Sequence, residues 1–247
     1  MKLQNKVALI TGSSRGMGKA IALLFAKEGA KVVVNYKDSK EKADEVVNEI
    51  VRLGSEAIAL QADISNEEQV INMIDKAVEK FGSIDILVNN AGIVFDIPWS
   101  EKTVEQWQQT LGTNLIGMFL VCKYAVPHIN EGGRIINTSS TNGIYSTYQD
   151  SMDYDASKAG VISITRSLAK ELAPTILVNS IAPGWVDTDM NKYLPKEVVE
   201  SETENIWLKR MGKPEEIANV ALFLASGDSS FITGSTIVVD GGVSTGK

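Results

Sequence analysis

The sequence predicts one α/β domain, a doubly wound, seven-stranded parallel sheet with helices on both faces. Three observations predict it. Apolar runs of strand length alternate with helix-periodic segments, a glycine-rich turn joins the first such strand to the first helix, and no linker, repeat or low-complexity stretch interrupts the 247 residues. Strands separated by helices need crossover connections, and crossovers make neighbouring strands parallel and cover both faces of the sheet.

In order, Val7 to Thr11 is a short continuous apolar run, as expected of a strand buried on both sides, and Gly18 to Glu28 after the turn is helical. Lys31 to Tyr36 is the second strand and Glu41 to Leu53 the second helix, followed by Glu56 to Asp63 and Glu67 to Phe81 as the third pair. Ile84 to Asn89 is a further strand, and one long helix is expected around Val104 to Val126. Arg134 to Ser139 and Tyr154 to Leu172 make the fifth pair. Ile176 to Ile181 and Thr236 to Val239 are the last strands, separated by a polar insertion and the helix Pro214 to Ala225. The stretch Trp185 to Arg210, with Pro195 and many charges, breaks the rhythm, and excursions of this kind are often lids. Residues 1–247 therefore read as a single Rossmann-type domain with a substrate lid at 185–210.

Composition excludes several functions. A chain 44% hydrophobic and 22% charged is ordinary globular material with enough apolar residues for a sizeable core. A net charge of −7 without a concentrated Lys/Arg face speaks against a nucleic-acid partner. With Cys122 as the lone cysteine, no intramolecular disulfide or multi-cysteine metal site can form. With His128 as the lone histidine, His-rich zinc ligation is excluded and a Ser-His-Asp triad would rest on one residue. No metal is expected. Met1 to Lys6 has no cationic region leading into an apolar one, and no run reaches the roughly 18 apolar residues of a membrane span. A soluble cytoplasmic protein, with no membrane partner, is the expectation.

The turn Thr11-Gly12-Ser13-Ser14-Arg15-Gly16-Met17-Gly18 carries glycines in the pattern Gly-x3-Gly-x-Gly. Glycines let backbone approach a pyrophosphate closely, and the following helix N-terminus offers free N–H groups and a positive dipole end. An acid that clasps a ribose 2′-hydroxyl belongs at the end of the second strand. Here the chain reads Asn35-Tyr36-Lys37, with no carboxylate before Asp38. Lys37 and Arg15 suit a 2′-phosphate, which attracts cations, so NADP(H) is favoured over NAD(H), while Asp38 leaves NAD(H) open.

Tyr154 and Lys158 stand four residues apart at the start of a helical run, on one face. A phenol titrates near 10 and exchanges protons poorly at neutrality. A positive charge roughly 4 Å away at an effective dielectric of about 20 favours phenolate by about 4 kcal/mol, roughly three pK units. The pair is expected to act as acid and base near pH 7. The alternative is a pair of residues on a solvated helix face.

Taken together with Asn89-Asn90-Ala91-Gly92, Ser139-Ser140 and Pro183-Gly184, these motifs occur in an order and spacing that resemble the short-chain dehydrogenase/reductase family, over essentially the whole length. Within it the chain looks most like the 3-oxoacyl-[acyl-carrier-protein] reductases and related sugar or alcohol dehydrogenases. The resemblance implies a catalytic tetrad of Asn114, Ser140, Tyr154 and Lys158. Tyr154 would be the proton donor to a carbonyl oxygen and the base in the reverse direction. Ser140 would stabilise charge developing on that oxygen, Lys158 would also bind ribose hydroxyls, and Asn114 would hold a water linking Lys158 to solvent. Ser139 and Thr138 compete for the hydroxyl role, and Ser140 is chosen because Gly143 follows it at the family spacing.

The resemblance also implies a set of cofactor positions. Gly12, Ser14, Arg15, Gly16, Met17 and Gly18 form the turn. Lys37 lies at the 2′-position, Asp63 at the adenine, and Asn90, Ala91 and Gly92 along the ribose. Tyr154 and Lys158 are joined at the nicotinamide and its phosphate by Pro183, Gly184, Val186 and Thr188. Asp240 to Lys247 resembles the tetramer-forming end of the family, so a homotetramer is expected.

The pattern departs from that of the carrier-protein reductases at three places. Thr141 to Asp153 is about one residue longer and carries Tyr145, Tyr148, Asp150 and Asp153, a polar rim suited to a hydroxylated or small polar substrate. The stretch Ala173 to Val178 is shortened, with Leu177 where relatives often carry Arg, and Glu131 adds negative charge. An acidic carrier protein needs a basic docking surface, and these changes weaken it. The leading expectation is an NADP(H)-dependent ketone/secondary-alcohol oxidoreductase resembling the 3-oxoacyl reductases and acting on a small-molecule carbonyl or alcohol. The others are a sugar or polyol dehydrogenase of the same family and a catalytically silent nucleotide-binding protein.

Overall fold

The protein is described from a computed structural model covering residues 1–145, 149–189 and 195–243. Its strands are β1 (Val7–Ile10), β2 (Lys31–Tyr36), β3 (Ala57–Gln61), β4 (Ile84–Asn89), β5 (Ile129–Thr138), β6 (Ile176–Pro183) and β7 (Thr236–Val239). They form one parallel sheet in the order β3-β2-β1-β4-β5-β6-β7. The chain runs outward from β1 to β3, then crosses back to lay β4 against the other side of β1. At such a reversal the loops leaving the two central strands diverge, opening a crevice at their carboxyl ends.

The helices are α1 (Gly16–Lys27), α2 (Lys40–Arg52), α3 (Glu67–Phe81), α4 (Val104–Leu111), α5 (Met118–Ala125), α6 (Met152–Leu172), α7 (Lys196–Asn205) and α8 (Pro214–Ala225). Strand side chains alternate between faces, so Ala8, Ile10, Val32 and Val34 enter one core layer while Leu9 and Val33 enter the other. The first layer packs under Phe25 of α1, Ile50 of α2 and Ile217 of α8. The second packs under Met73 of α3, Val121 of α5 and Ala169 of α6. Each fully buried aliphatic of this kind contributes about 1.5–3 kcal/mol. Cys122 lies in the second layer, where burial pushes its thiol up to about 12, so it is an inert packing residue.

All seven strands fall where the apolar runs place them, and the differences are local. Helix α1 begins at Gly16 rather than Gly18, because the chain is already extended at Arg15. β3 is shorter than Glu56 to Asp63, while β5 starts at Ile129 and β6 runs through Pro183. The long helix expected over Val104 to Val126 is divided by a π turn at Gly112–Gly117 and ends in a 3₁₀ turn containing Pro127. The insertion holds a helix that no periodicity announced: α7 buries none of its residues, so no apolar stripe marks it.

Candidate active site

A cavity of about 580 Å³ opens at the carboxyl ends of the central strands, and its wall includes Gly92, Ser140, Tyr154, Lys158, Gly184 and Thr188. Its amino-terminal border is the glycine turn. Gly12 has φ +62, and an added Cβ there would stand 2.9 Å from the Ala91 Cα. A Cβ on Gly18 would stand 2.5 Å from the Gly12 carbonyl and 2.6 Å from Asn90 Nδ2, so α1 approaches the turn as closely as glycine alone permits. Gly16 faces the Thr188 side chain, Met17 reaches the cavity wall, and Ser14 is buried.

Two amides hold the turn. Asn35 Oδ1 accepts from the Gly12 N–H at 3.0 Å while its Nδ2 donates to the Ala62 carbonyl at 3.1 Å, tying the turn to β2 and β3. Asn90 Nδ2 donates to the carbonyls of Thr11 (3.0 Å) and Gly12 (3.1 Å), and the Thr11 hydroxyl accepts from the N–H groups of Asn90 and Ala91. Asn90 therefore braces the turn as well as lining the cavity. Sequence reading missed Asn35. A buried-strand asparagine directly before the expected acid position was the available signal.

At the other border, β5 ends in Thr138-Ser139-Ser140 and α6 presents Tyr154 and Lys158 one turn apart. The three neighbouring hydroxyl residues have separate duties. Ser139 Oγ donates to the Lys158 carbonyl at 2.9 Å, the Thr138 carbonyl accepts from Lys158 Nζ at 2.8 Å, and Ser140, whose Oγ accepts from the Asn142 N–H at 3.2 Å, lines the cavity with Tyr154. Gly143 makes the packing possible: a Cβ there would stand 2.6 Å from the Lys158 backbone carbon.

Asn114 sits inside the π turn, 2% exposed, with Oδ1 accepting from the Ile93 N–H and Nδ2 donating to the Ile93 carbonyl, both at 2.8 Å. Its Nδ2 also reaches Ser157 Oγ at 3.1 Å. A Cβ on Gly92 would lie 3.3 Å from Asn114 Oδ1 and 3.4 Å from Lys158 Nζ, so both groups close on that glycine. The structure thus brings all four tetrad residues around one end of the cavity, with Asn114 behind its wall.

The electrostatics differ from the sequence expectation. Burial pushes Tyr154 up to about 12, with the Ser140 hydroxyl opposing the rise and Asp155 and Asp96 adding to it. Burial likewise brings Lys158 down to about 8. The phenol near 7 is not what this geometry gives. The Lys158 ammonium bonds the Thr138 carbonyl and stands 5.5 Å from the Tyr154 ring centroid, too indirect a contact to outweigh desolvation.

At the far side of the turn, Lys37 Nζ pairs with Asp63 Oδ2 at 2.8 Å. Asp63 also accepts from Ser65 Oγ at 2.7 Å and from its N–H at 3.0 Å. Burial works to raise the Asp63 carboxyl, but these bonds hold it below the ordinary range. Residues assigned to the 2′-phosphate and the adenine are thus partners of each other. Arg15 is exposed and makes no ion pair among the described residues.

The polar rim is present in part: Tyr145 and Asp150 line the cavity beside Asp96, and Tyr148 lies outside the described residues. Asp153 is not on the rim. It is wholly buried in an ion pair with Lys102. From the insertion, Trp185, Val186, Val198 and Glu202 reach the wall, and Trp185 Nε1 donates to Glu202 Oε2 at 3.0 Å. Among the described residues, Lys158 is the cavity's only cation. No group of His, Cys, Asp and Glu suited to a metal comes together among them.

A dinucleotide fits the residues present. The glycine turn would be filled by any Cβ, the first turn of α1 has no acidic residue and no side-chain cap, and the groove from Met17 past Gly92 to Thr188 is continuous with the Tyr154 hydroxyl.

A family model described as Enoyl-(Acyl carrier protein) reductase matches residues 12–244. The chain is 44% identical over 246 residues to the 3-oxoacyl-[acyl-carrier-protein] reductase FabG of Thermotoga maritima, covering 98% of this chain and 99% of that protein. It is 45% identical to the 3-oxoacyl-[acyl-carrier-protein] reductase of a Synechocystis species, covering 98% of each. Among solved structures, a short-chain dehydrogenase from Burkholderia cenocepacia in complex with NADP superposes with a TM-score of 0.95 at 37% identity, over 98% of this chain and 99% of that one. A dehydrogenase/reductase from Sinorhizobium meliloti gives the same TM-score and identity, over 98% and 96%.

Proposed function

We infer the function from one premise: the chain belongs to the short-chain dehydrogenase/reductase family. It is an oxidoreductase of the 3-oxoacyl reductase type, interconverting a ketone and the corresponding secondary alcohol. In our reading Tyr154 gives its hydroxyl proton to the carbonyl oxygen in reduction and takes it back in oxidation. Ser140, on the same cavity wall, holds that oxygen as negative charge grows on it, a contact that helps catalysis only by strengthening in the transition state. Lys158 supplies positive charge behind Tyr154, and Asn114, closing with Lys158 on Gly92, orders the path by which the proton is replenished. A bound nicotinamide cofactor supplies or accepts the hydride. Gly12, Ser14, Arg15, Gly16, Met17 and Gly18 would hold its phosphates, with Lys37, Asp63, Asn90, Ala91, Gly92, Lys158, Pro183, Gly184, Val186 and Thr188 along its length.

The observation that carries this reading is Tyr154 and Ser140 together on the wall of one groove, with Lys158 one turn behind. Its test is Tyr154→Phe, assayed by acetoacetyl-thioester reduction with NADPH. Turnover should vanish while NADPH binding persists, and wild-type turnover would overturn the assignment.

NADP(H) is the proposed preference, supported by Arg15, by Lys37 and by the NADP complex of the Burkholderia relative. It requires Lys37 to exchange Asp63 for a phosphate. The insertion 185–210 is proposed as the lid, since Trp185 and α7 reach the cavity wall. A homotetramer is supported by exposed large apolar side chains, among them Val104, Ile116, Phe119, Phe231 and Val238. No helix among the described residues is long and apolar enough to cross a membrane, and the cytoplasm is the proposed compartment.

One observation favours a second reading, a sugar or polyol dehydrogenase: the cavity wall carries Asp96, Asp150 and Glu202. Hydroxyl-rich substrates donate to such carboxylates, whereas an acidic carrier is repelled. Oxidation of aldoses with NADP⁺ or NAD⁺, compared with acetoacetyl-thioester reduction, separates the two.

A further inference from the structure

We propose that Lys102 is a positioning residue of this active site: paired with Asp153 inside the protein, it fixes the Tyr154 end of α6 and cancels the charge beside the proton donor. The inference rests on the reading of Tyr154 given above. The side chains of Lys102 and Asp153 are 1% and 0% exposed. The ammonium donates to Asp153 Oδ1, to the Phe95 carbonyl at 2.8 Å and to the Asp150 carbonyl at 2.7 Å, which uses all three of its protons. Asp153 Oδ2 accepts from Thr110 Oγ1 of α4 at 2.6 Å, and the Ile97 N–H donates to the Asp150 carbonyl at 3.1 Å. The wall loop around Phe95 to Ile97, the stretch before α6, the first turn of α6 and helix α4 are thereby knotted at one point.

Stability alone does not explain the pair. Taking two charges out of water costs several kcal/mol each, and well-packed apolar residues of similar volume often serve a fold equally well. Position supplies the reason. Lys102 and Asp153 both act on the Asp96 carboxyl, and the charged groups facing that phenol are Asp96 from the wall loop and Lys158 and Asp155 from α6, with Asp150 also on the cavity wall. Two of these carboxylates already oppose ionisation of Tyr154. A third, unpaired, would oppose it further. With the ammonium bonded to it, Asp153 acts at a distance as a dipole, and its own carboxyl, which burial works to raise, is held below the ordinary range by Lys102 and Thr110.

The charge roles give opposite signs in variants, which a purely structural role does not. We would measure the pH dependence of kcat/KM for alcohol oxidation with NADP⁺, which reports the free enzyme's titrating groups. Lys102→Met should move the rising limb to higher pH by about one unit, read below the midpoint as a tenfold slower rate at fixed pH. Asp153→Asn should move it to lower pH. The double variant should return it to the wild-type position with a residual loss in kcat, and NADPH affinity, followed by fluorescence, should stay within about twofold throughout. Limbs that do not shift, or that shift the same way in both single variants, would overturn the inference. Should Lys102→Met fail to fold, Asp153→Asn and the double variant decide by the same criterion. Tyr154→Phe is the control: if that variant turns over normally, the site reading has failed, whereas an inactive Tyr154→Phe with unmoved limbs condemns only the role of Lys102.

Discussion

At the glycine-turn end of the crevice the amides of Asn35 and Asn90 are committed to backbone, and the resulting turn is a fixed shape held by neutral groups. At the Tyr154 end stand a half-buried phenol and a buried ammonium instead, one pushed up to about 12 and the other brought down to about 8. The contrast separates two ways of preparing a site. A shape is stable without a ligand and recognises by fit, whereas desolvated proton carriers recognise by what stabilises their charged forms. The first end should fail through steric change, the second through loss of a proton or a charge.

The largest effect expected on this basis is at the second end. Tyr154→Phe should lower kcat by about 10³-fold, within the range attributed to positioned acids and bases, and change NADPH affinity by less than about twofold. Steady-state assay and fluorescence titration decide it. If affinity falls with turnover, Tyr154 belongs to the shape as much as to the chemistry, and the contrast breaks.

Gly18→Val tests the opposite end. With Gly12 O at 2.5 Å and Asn90 Nδ2 at 2.6 Å from the first added carbon, the turn must open. NADPH affinity should fall about a hundredfold, with a stability loss of about 1–3 kcal/mol from overpacking. A variant with normal affinity would show that the turn is not a fixed shape.

Lys158→Met sharpens the electrostatic half. The fold lowers this amine from 10.5 to about 8, so between those pH values the unfolded chain holds a proton that the native chain does not. Stability attributable to Lys158 therefore rises with pH across that window, and its burial costs most below pH 8, on the order of 3 kcal/mol. Relative to wild type, the Met variant should gain in Tm as pH falls from 10 to 7.5. A Tm difference independent of pH would mean that the amine is not desolvated.

The smallest expected effects lie at the surface. Arg15→Ala and Lys37→Ala should each weaken NADPH about tenfold and leave NADH unchanged, a split that disappears if the cations do not meet a 2′-phosphate. Lys37→Ala should show the smaller loss, because Asp63 already offsets that charge.

What was legible in the sequence follows the same division. Strands, the glycine turn and the Tyr154/Lys158 spacing are local patterns, and each appears at its expected place. The Tyr154 pKa was misjudged because a charge at a guessed distance can be written down from sequence, while the desolvation that dominates it needs the fold. Asp153 reads as part of the substrate rim and Lys102 draws no notice, since nothing local joins residues separated by 51 positions. Helix α7 was missed for lack of an apolar stripe, and the π turn because Gly112 and Gly117 do not interrupt the helical periodicity on either side.

That wider winding between α4 and α5 sets a rule about chain length. With i→i+5 bonding each residue turns by about 80° instead of the α-helical value of about 100°, so the six residues Gly112–Gly117 cover nearly the rotation of five α-helical ones, and deleting one position would let the segment rewind as plain α-helix with α5 still in phase. Val121 and Ala125 would keep their places in the core, while the amide of Asn114 would lose Ile93. The surplus residue therefore serves the site and not the core: a one-residue gap within Gly112–Gly117 spares the packing of α5 and breaks the proton path at Asn114.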